Sequence, residues 1–226
     1  MNAPLFLTLS QESRIMKLRS IVIALLATII ITTQASAFSW ETVAERVQKS
    51  LAKMSMFVET QPEVFEASVC TAFSINEARH IYMTAGHCNG IDMKLDGNPT
   101  GLLYRNDAND LMVLQTTAPG KPALRPRTKD IKQGLSVAGF GYGWGWDQPM
   151  IRTGIISIAD ISPKEFGARP HTLFDFPFIS GMSGGPIVDS DGRVVSIVQQ
   201  SNTREVAGMG QTLAVMLEAT KQYWEP

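Results

Sequence analysis

A serine set among glycines, Gly181-Met182-Ser183-Gly184-Gly185-Pro186, and a histidine in Thr84-Ala85-Gly86-His87-Cys88 are the residues of this chain best suited to chemistry. A serine hydroxyl is a weak nucleophile at neutral pH and needs an adjacent base to take its proton. His87 is such a base. It needs an acid behind it, and Asp110 heads the apolar run Leu111-Met112-Val113-Leu114 between the two motifs. Ser, His and Asp together can attack a carbonyl carbon and hand a proton to the departing group. Backbone N–H groups of a glycine-rich turn can then crowd the oxygen on which charge develops. The five fixed positions of Gly-x-Ser-Gly-Gly-Pro make a chance match on the order of one in ten thousand. Asp107 is the local rival acid. It lies in Asn106-Asp107-Ala108-Asn109, a turn composition in which an Asp commonly bonds its own backbone, so Asp110 is preferred.

The order His87, Asp110, Ser183 differs from that of the subtilisins and of the α/β-hydrolases. With these three segments the chain resembles the chymotrypsin-like (trypsin-like) serine protease family. The resemblance implies an all-β fold, two six-stranded antiparallel β-barrels packed face to face, with the triad in the cleft between them. It implies a protein or peptide substrate, with Ser183 as nucleophile, His87 as general base and then acid, and Asp110 as the ionised partner of the imidazole. The backbone N–H groups of Gly181 and Ser183 would form the oxyanion hole, and no cofactor or metal is called for.

The family's primary pocket falls on Pro177, Phe178, Ile179 and Ser180 before the nucleophile and on Gln199, Gln200 and Ser201 after it. A protease selecting Arg or Lys keeps a carboxylate six residues before the serine, because a desolvated cation needs a paired charge. Here that residue is Pro177, and the nearest acid is Asp175, so apolar or small side chains are expected on the acyl side. The family often bridges the positions of Cys70 and Cys88, and closing that loop would stabilise the fold by about 3 kcal/mol. On the residues alone, two free buried thiols are the alternative. Zinc-ligand spacing is missing.

The chain departs from the digestive branch at Met182, where that branch has an Asp that receives the N-terminal ammonium released on activation. A buried ammonium without a carboxylate is too costly to form. In this respect the chain is closer to bacterial envelope proteases of the high-temperature-requirement type, although no appended binding domain is expected. Two other outcomes stay open at this stage: a catalytically silent, peptide-binding member, and an esterase or amidase with the same triad.

The 226 residues carry 20 basic and 21 acidic side chains, a balance that gives no ground for a nucleic-acid partner. Met16-Lys17-Leu18-Arg19, an apolar run from Ile21 to Ile31 and Ala35-Ser36-Ala37 have the three parts of an export signal. The run is shorter than the roughly 20 residues that span a bilayer. Residues 1–37 are therefore expected to be removed, with residues 1–15 a lead-in. The mature chain is expected in the periplasm or outside the cell, without stable membrane association.

Trp40, Val43, Val47 and Leu51 recur at helical spacing, which predicts a short helix over 39–49. Short β-type runs separated by turn signals follow: 54–58, 70–75, 80–84, 93–95, 102–104 and 111–115, then 135–140, 154–158, 187–189, 194–198 and 210–215. They imply a barrel or sandwich. Prolines and basic residues over 119–130 suit a solvated linker between a first barrel at about 50–118 and a second at 131–215. A closing helix is expected over 216–224. Gly139, Gly141, Gly143 and Gly145 alternate with Phe140, Tyr142, Trp144 and Trp146. A phosphate-binding loop would open a helix at this point, so the segment reads instead as a strand running into an exposed loop. His80 and His171 have no motif around them and read as surface or structural.

Overall fold

Alternation is what builds this molecule, and in its central strands both faces are apolar. The computed structural model describes residues 38–161, 170–202 and 207–225, with backbone only at 200–202 and 207; the expected export signal lies outside them. Among the described residues, β1 (Leu51–Gln61), β2 (Val64–Asn76), β3 (Ile81–Ala85), β4 (Ile91–Leu95), β5 (Asn98–Asn106) and β6 (Leu111–Thr116) close into one antiparallel barrel in the order β1-β2-β3-β6-β5-β4. The strands β7 (Ser136–Gly141), β8 (Met150–Ile161), β9 (His171–Phe174), β10 (Pro186–Asp189), β11 (Val194–Asn202) and β12 (Ala207–Thr212) close a second. Read from β7, its order β7-β8-β9-β12-β11-β10 repeats the path of the first.

Successive side chains on a strand point to opposite faces. In β3 and β6, Tyr82, Met112 and Leu114 fill the first barrel, while Ile81, Met83, Leu111 and Val113 point outward into a second core. That second core is the seam. It takes Ala138, Phe140, Val188, Val194 and Ile197 from the second barrel, whose own interior holds Val137, Ile156, Phe174, Ile187 and Val195.

Helices α1 (Trp40–Gln48) and α2 (Leu213–Trp224) close the seam with Val43, Val47, Leu213, Met216 and Trp224. Val43 and Val47 of the stripe seen in the sequence are the buried face of α1, while Leu51, its last member, opens β1. The closing helix starts at Leu213, earlier than expected, with Thr212 in extended conformation before it. The last carbonyls of α2 are met by donors from the first barrel and the connecting segment: Arg79 bonds Gln222 O at 3.4 Å and Arg125 bonds Trp224 O at 3.4 Å. Such donors satisfy groups that a helix end leaves without internal partners.

The segment between the barrels is more tightly tied than a solvated linker. Leu124 is buried in the seam and its N–H donates to Ser74 O at 2.9 Å. Arg125 and Arg127 pair through their backbones with Val194, and the Arg127 guanidinium meets the fully buried Asp189.

Candidate active site

The pairing of β3 with β6 fixes the first half of the site. Ala85 stands opposite Leu111, so His87, two residues beyond the end of β3, comes beside Asp110, one residue before β6. The His87 backbone N–H donates to Asp110 Oδ1 at 2.6 Å, and Nδ1 lies 2.8 Å from Oδ2 and 3.1 Å from Oδ1. One carboxylate therefore fixes both the main chain and the ring of His87. Asp110 itself sits at φ +50°, a left-handed conformation that Asp tolerates better than most residues. A turn holds it there, with Asn109 N–H donating to Asn106 O at 3.2 Å and to Asn106 Oδ1 at 3.0 Å. Asp107 faces Arg105, its carboxylate 2.5 Å from Nε. Of the two acids, Asp110 is the one brought to His87.

Ser183 is placed by backbone geometry. Its carbonyl accepts from Thr71 N–H at 2.8 Å, and Gly184 N–H donates to Val198 O at 2.8 Å. Gly184 has φ +80°, and a Cβ there would lie 2.0 Å from Thr84 Oγ1 and 2.3 Å from Thr71 O. Only glycine lets this turn back onto the first barrel. Gly181, at φ +92°, is pressed against Tyr142 O in the same way, and its carbonyl accepts from Thr71 Oγ1 at 2.7 Å. Met182 and Gly185 donate within the turn, to Ile179 O and Met182 O. Among the described residues, no carbonyl takes up the N–H of Gly181 or Ser183.

Cys70 and Cys88 are joined by a disulfide. Cys88 Sγ touches Ser183 O at 3.7 Å; a disulfide sulfur has no proton to give, so this is packing. Both sulfurs lie within 4.8 Å of a His87 ring nitrogen. Bonded to each other, they are not the thiolates that a metal site requires.

The expected pocket residues divide. Pro177 and Ile179 are half-buried and Ser180 is exposed. Phe178 is only 4% exposed and packs with Phe174 and Phe176 at centroid distances of 5.8 and 5.3 Å. Its ring fills space beside Gly139 and Gly208, 2.8 and 2.5 Å from where their Cβ atoms would stand. Gln199, expected in the pocket wall, is buried, and its amide donates to Asn109 O at 2.8 Å and Asp110 O at 3.2 Å. It also lies 3.3 Å from the Oε1 of buried Gln211. Gln200 and Ser201 continue β11, described here by backbone alone. Asp175, the nearest acid, accepts from Ile155 N–H at 2.7 Å.

His171 lies buried in β9, and His80 stands in the turn before β3 at φ +53°. Sequence reasoning missed the hold of Gln199 on the Asp110 turn, because an isolated glutamine carries no motif. It also missed Thr71, whose hydroxyl accepts from Tyr142 N–H at 2.8 Å while donating to Gly181 O. Burial, with the Asp96 charge adding to it, pushes the Tyr142 phenol above its ordinary value.

Two barrels meeting at a seam, with a His–Asp pair on one and a glycine-framed serine on the other, define the serine-peptidase class of folds. Residues 70–197 match the trypsin-like peptidase domain family, and the chain belongs to that family. A probable periplasmic serine endoprotease, DegP-like, of Halomonas elongata is 30% identical over 158 residues, which is 67% of this chain and 33% of the relative. A DegP-like relative from Pseudomonas fluorescens is 29% identical over 118 residues, covering 52% of this chain and 25% of its own length. The matched part thus spans a third or less of these relatives. Among solved structures, the active form of the Rv3671c protease from M. tuberculosis superposes with a TM-score of 0.71 at 19% identity, covering 84% of this chain and 88% of that one. The HtrA-type protease AlgW with a decapeptide gives 0.69 at 18%, covering 82% and 67%. These likenesses show the fold.

Proposed function

We propose that the protein is an exported serine endopeptidase in which Ser183 attacks the scissile carbonyl and forms an acyl-enzyme. The observation that carries this reading is the double grip of one Asp110 carboxylate on the His87 ring and backbone. A proton on Nδ1 held by Asp110 leaves Nε2 as the nitrogen that takes the Ser183 proton and returns it to the leaving amine. The N–H groups of Gly181 and Ser183 are the proposed donors to the oxyanion, where loss of one donor typically costs about 100- to 1,000-fold in rate. Water then enters by the same base and releases the acyl product.

The substrate is a protein or peptide chain. Pro177 stands six residues before Ser183, where a carboxylate would select Arg or Lys, and this supports a graded preference for apolar or small side chains on the acyl side. The periplasmic names of the relatives and the sequence of residues 1–37 support action in the periplasm or beyond.

The test is labelling with a fluorophosphonate, followed by digestion of casein and of a peptide library. Wild type should label and cleave after Ala- or Val-sized residues. Ser183→Ala should neither label nor turn over, a loss of roughly a million-fold. Wild-type-like proteolysis by folded Ser183→Ala protein overturns the assignment. A library profile led by Arg or Lys overturns the pocket and points to Asp175.

A further inference from the structure

Three metal-ligating side chains meet at the proposed general base, and two of them are out of use only while a bond joins them. Sγ of Cys70, Sγ of Cys88 and a ring nitrogen of His87 all lie within 4.8 Å of one another. Separated from each other, two thiolates and an imidazole are a ligand set that zinc accepts, with a fourth position left to solvent. Tetrahedral zinc holds two sulfurs about 3.8 Å apart at Zn–S distances of about 2.3 Å.

The backbones that carry these ligands do not depend on the bridge for their places. Cys70 stands opposite Met54 in the β1–β2 ladder, and the next residue, Thr71, donates its N–H to Ser183 O at 2.8 Å. Cys88 N–H donates to Ala85 O at 3.1 Å, and His87 N–H to Asp110 Oδ1 at 2.6 Å. The two cysteine Cα atoms are 6.1 Å apart. With the S–S bond cut, side-chain rotation alone can part the sulfurs around an ion.

Asp110 suits His87 to this second use. A metal-bound histidine almost always donates its other N–H to a carboxylate, a carbonyl or water, which fixes the ring and its tautomer. Asp110 Oδ2, 2.8 Å from Nδ1, is such an acceptor. Metal on Nε2 occupies the lone pair that would take the Ser183 proton. Metal on Nδ1 evicts Asp110 and leaves the proton on Nε2. In both cases the base is lost. The way in lies on the ring side, since the His87 side chain is 46% exposed while Cys70 and Cys88 are 5% and 1% exposed.

We infer that Cys70, Cys88 and His87 form a zinc site that opens when the bridge is reduced and that, once filled, silences the peptidase. The inference rests on the endopeptidase reading. A dithiol reductant supplies two electrons and two protons: the Cys70–Cys88 bond breaks, two thiols form, and the reductant closes to its own disulfide. Zinc binds as the two thiols release their protons to solvent. A disulfide donor reverses this, taking up the two electrons and expelling the metal as the bridge re-forms. Bridged protein is therefore competent whatever the metal supply, and reduced protein is competent only without zinc.

The test follows metal and labelling separately, on the bridged protein and on the same protein reduced with a phosphine and desalted without oxygen. Cobalt(II) should give thiolate-to-metal charge-transfer absorption in the near ultraviolet with the reduced form alone, and zinc should abolish it by competition. Under chelator, the reduced form should take fluorophosphonate as the bridged form does. Equimolar zinc should lower that labelling about tenfold or more, and chelator should restore it. Reduced His87→Ala should bind cobalt about tenfold more weakly or worse. In Cys70→Ser/Cys88→Ser, whatever labelling remains should be insensitive to zinc; should this variant not fold, the bridged and reduced wild type carry the same contrast. Absence of the cobalt band in reduced wild type, unchanged cobalt affinity in His87→Ala, or equal zinc inhibition of the bridged form each overturns the site. Labelling lost on reduction even under chelator makes the bridge a brace and overturns the switch. A bridged wild type that takes no fluorophosphonate removes the endopeptidase reading, while the cobalt titration still decides the metal site.

Discussion

The two barrels follow the same strand path, yet they hold their shares of the site by different physics. The first barrel presents His87 and Asp110 through side-chain hydrogen bonds, with a carboxylate bridging a ring and a backbone N–H. The second presents Ser183 through main-chain shape, with left-handed glycines at 181 and 184 wedged against neighbouring backbone. A hydrogen-bonded pair is broken by changing one functional group while the chain stays where it was. A shape made of close backbone contacts is broken by adding a single methyl. In the first half the functional groups are therefore separable from the fold; in the second the Ser183 hydroxyl is separable, but the glycine frame that aims it is not.

Variants should expose that contrast. Asp110→Asn should lower turnover by about ten thousand-fold through the wrong imidazole tautomer, with the melting curve little changed. Asp107→Asn, on the Arg105 side of the turn, should cost little in activity. The reverse ranking in steady-state kinetics on folded proteins would mean that the acid is misassigned. Gly184→Ala, in the other half, should destabilise the protein by roughly 3 kcal/mol or more, combining a left-handed alanine with a clash against Thr71 and Thr84. Urea unfolding reads this directly, and a stable but inactive Gly184→Ala protein would contradict the proposed difference between the halves.

Gln199 crosses the divide, since a second-barrel side chain steadies the first-barrel turn. Gln199→Ala strands two carbonyls and should cost about 1–3 kcal/mol of stability. Its kinetic signature should be a lower kcat at constant KM, because the residue positions Asp110 and does not line the pocket. A rise in KM alone would return it to the pocket wall.

The smallest effect concerns alkali. Burial raises the phenols of Tyr82 in the first barrel and Tyr142 in the second above 10.0. A group with a raised folded value contributes stability that is complete below its unfolded value and is lost as pH climbs past it. Melting temperature should hold up to about pH 10 and then fall, less steeply in Tyr82→Phe and Tyr142→Phe. An unchanged slope in both variants would show that the phenols do not carry the effect.

Much of this was legible in the chain. The pairing of His87 with Asp110 and the glycine frame of Ser183 follow segments that stand out in local composition, and the helical spacing from Trp40 marks α1. What stayed hidden has physical reasons. Central strands such as β3 and β6 are buried on both faces, so they read as apolar runs without alternation, and their facing cannot be inferred. β9, only His171–Phe174, is too short to show a period. The pairing of β11 with β12 shifts between Val198 and Gln200. Such an irregularity re-aims a side chain, which is how Gln199 leaves the expected wall for the Asp110 turn. Nor did the linker composition reveal that Leu124 is core and that Arg127 meets a buried carboxylate.

The shared seam bears on how this molecule can move. Enzymes whose sites lie between two lobes often work by hinge bending, opening to admit a ligand and closing to exclude water. Here Phe73, Ile81, Val113, Phe140, Ile197 and Trp224 belong to one continuous core, with a helix across each end of the chain's path. Prising the barrels apart would wet that core, which makes rigid-body opening as costly as partial unfolding. On the proposed mechanism, a substrate then reaches Ser183 past its bordering loops, and the two halves of the proposed triad keep their distance throughout turnover.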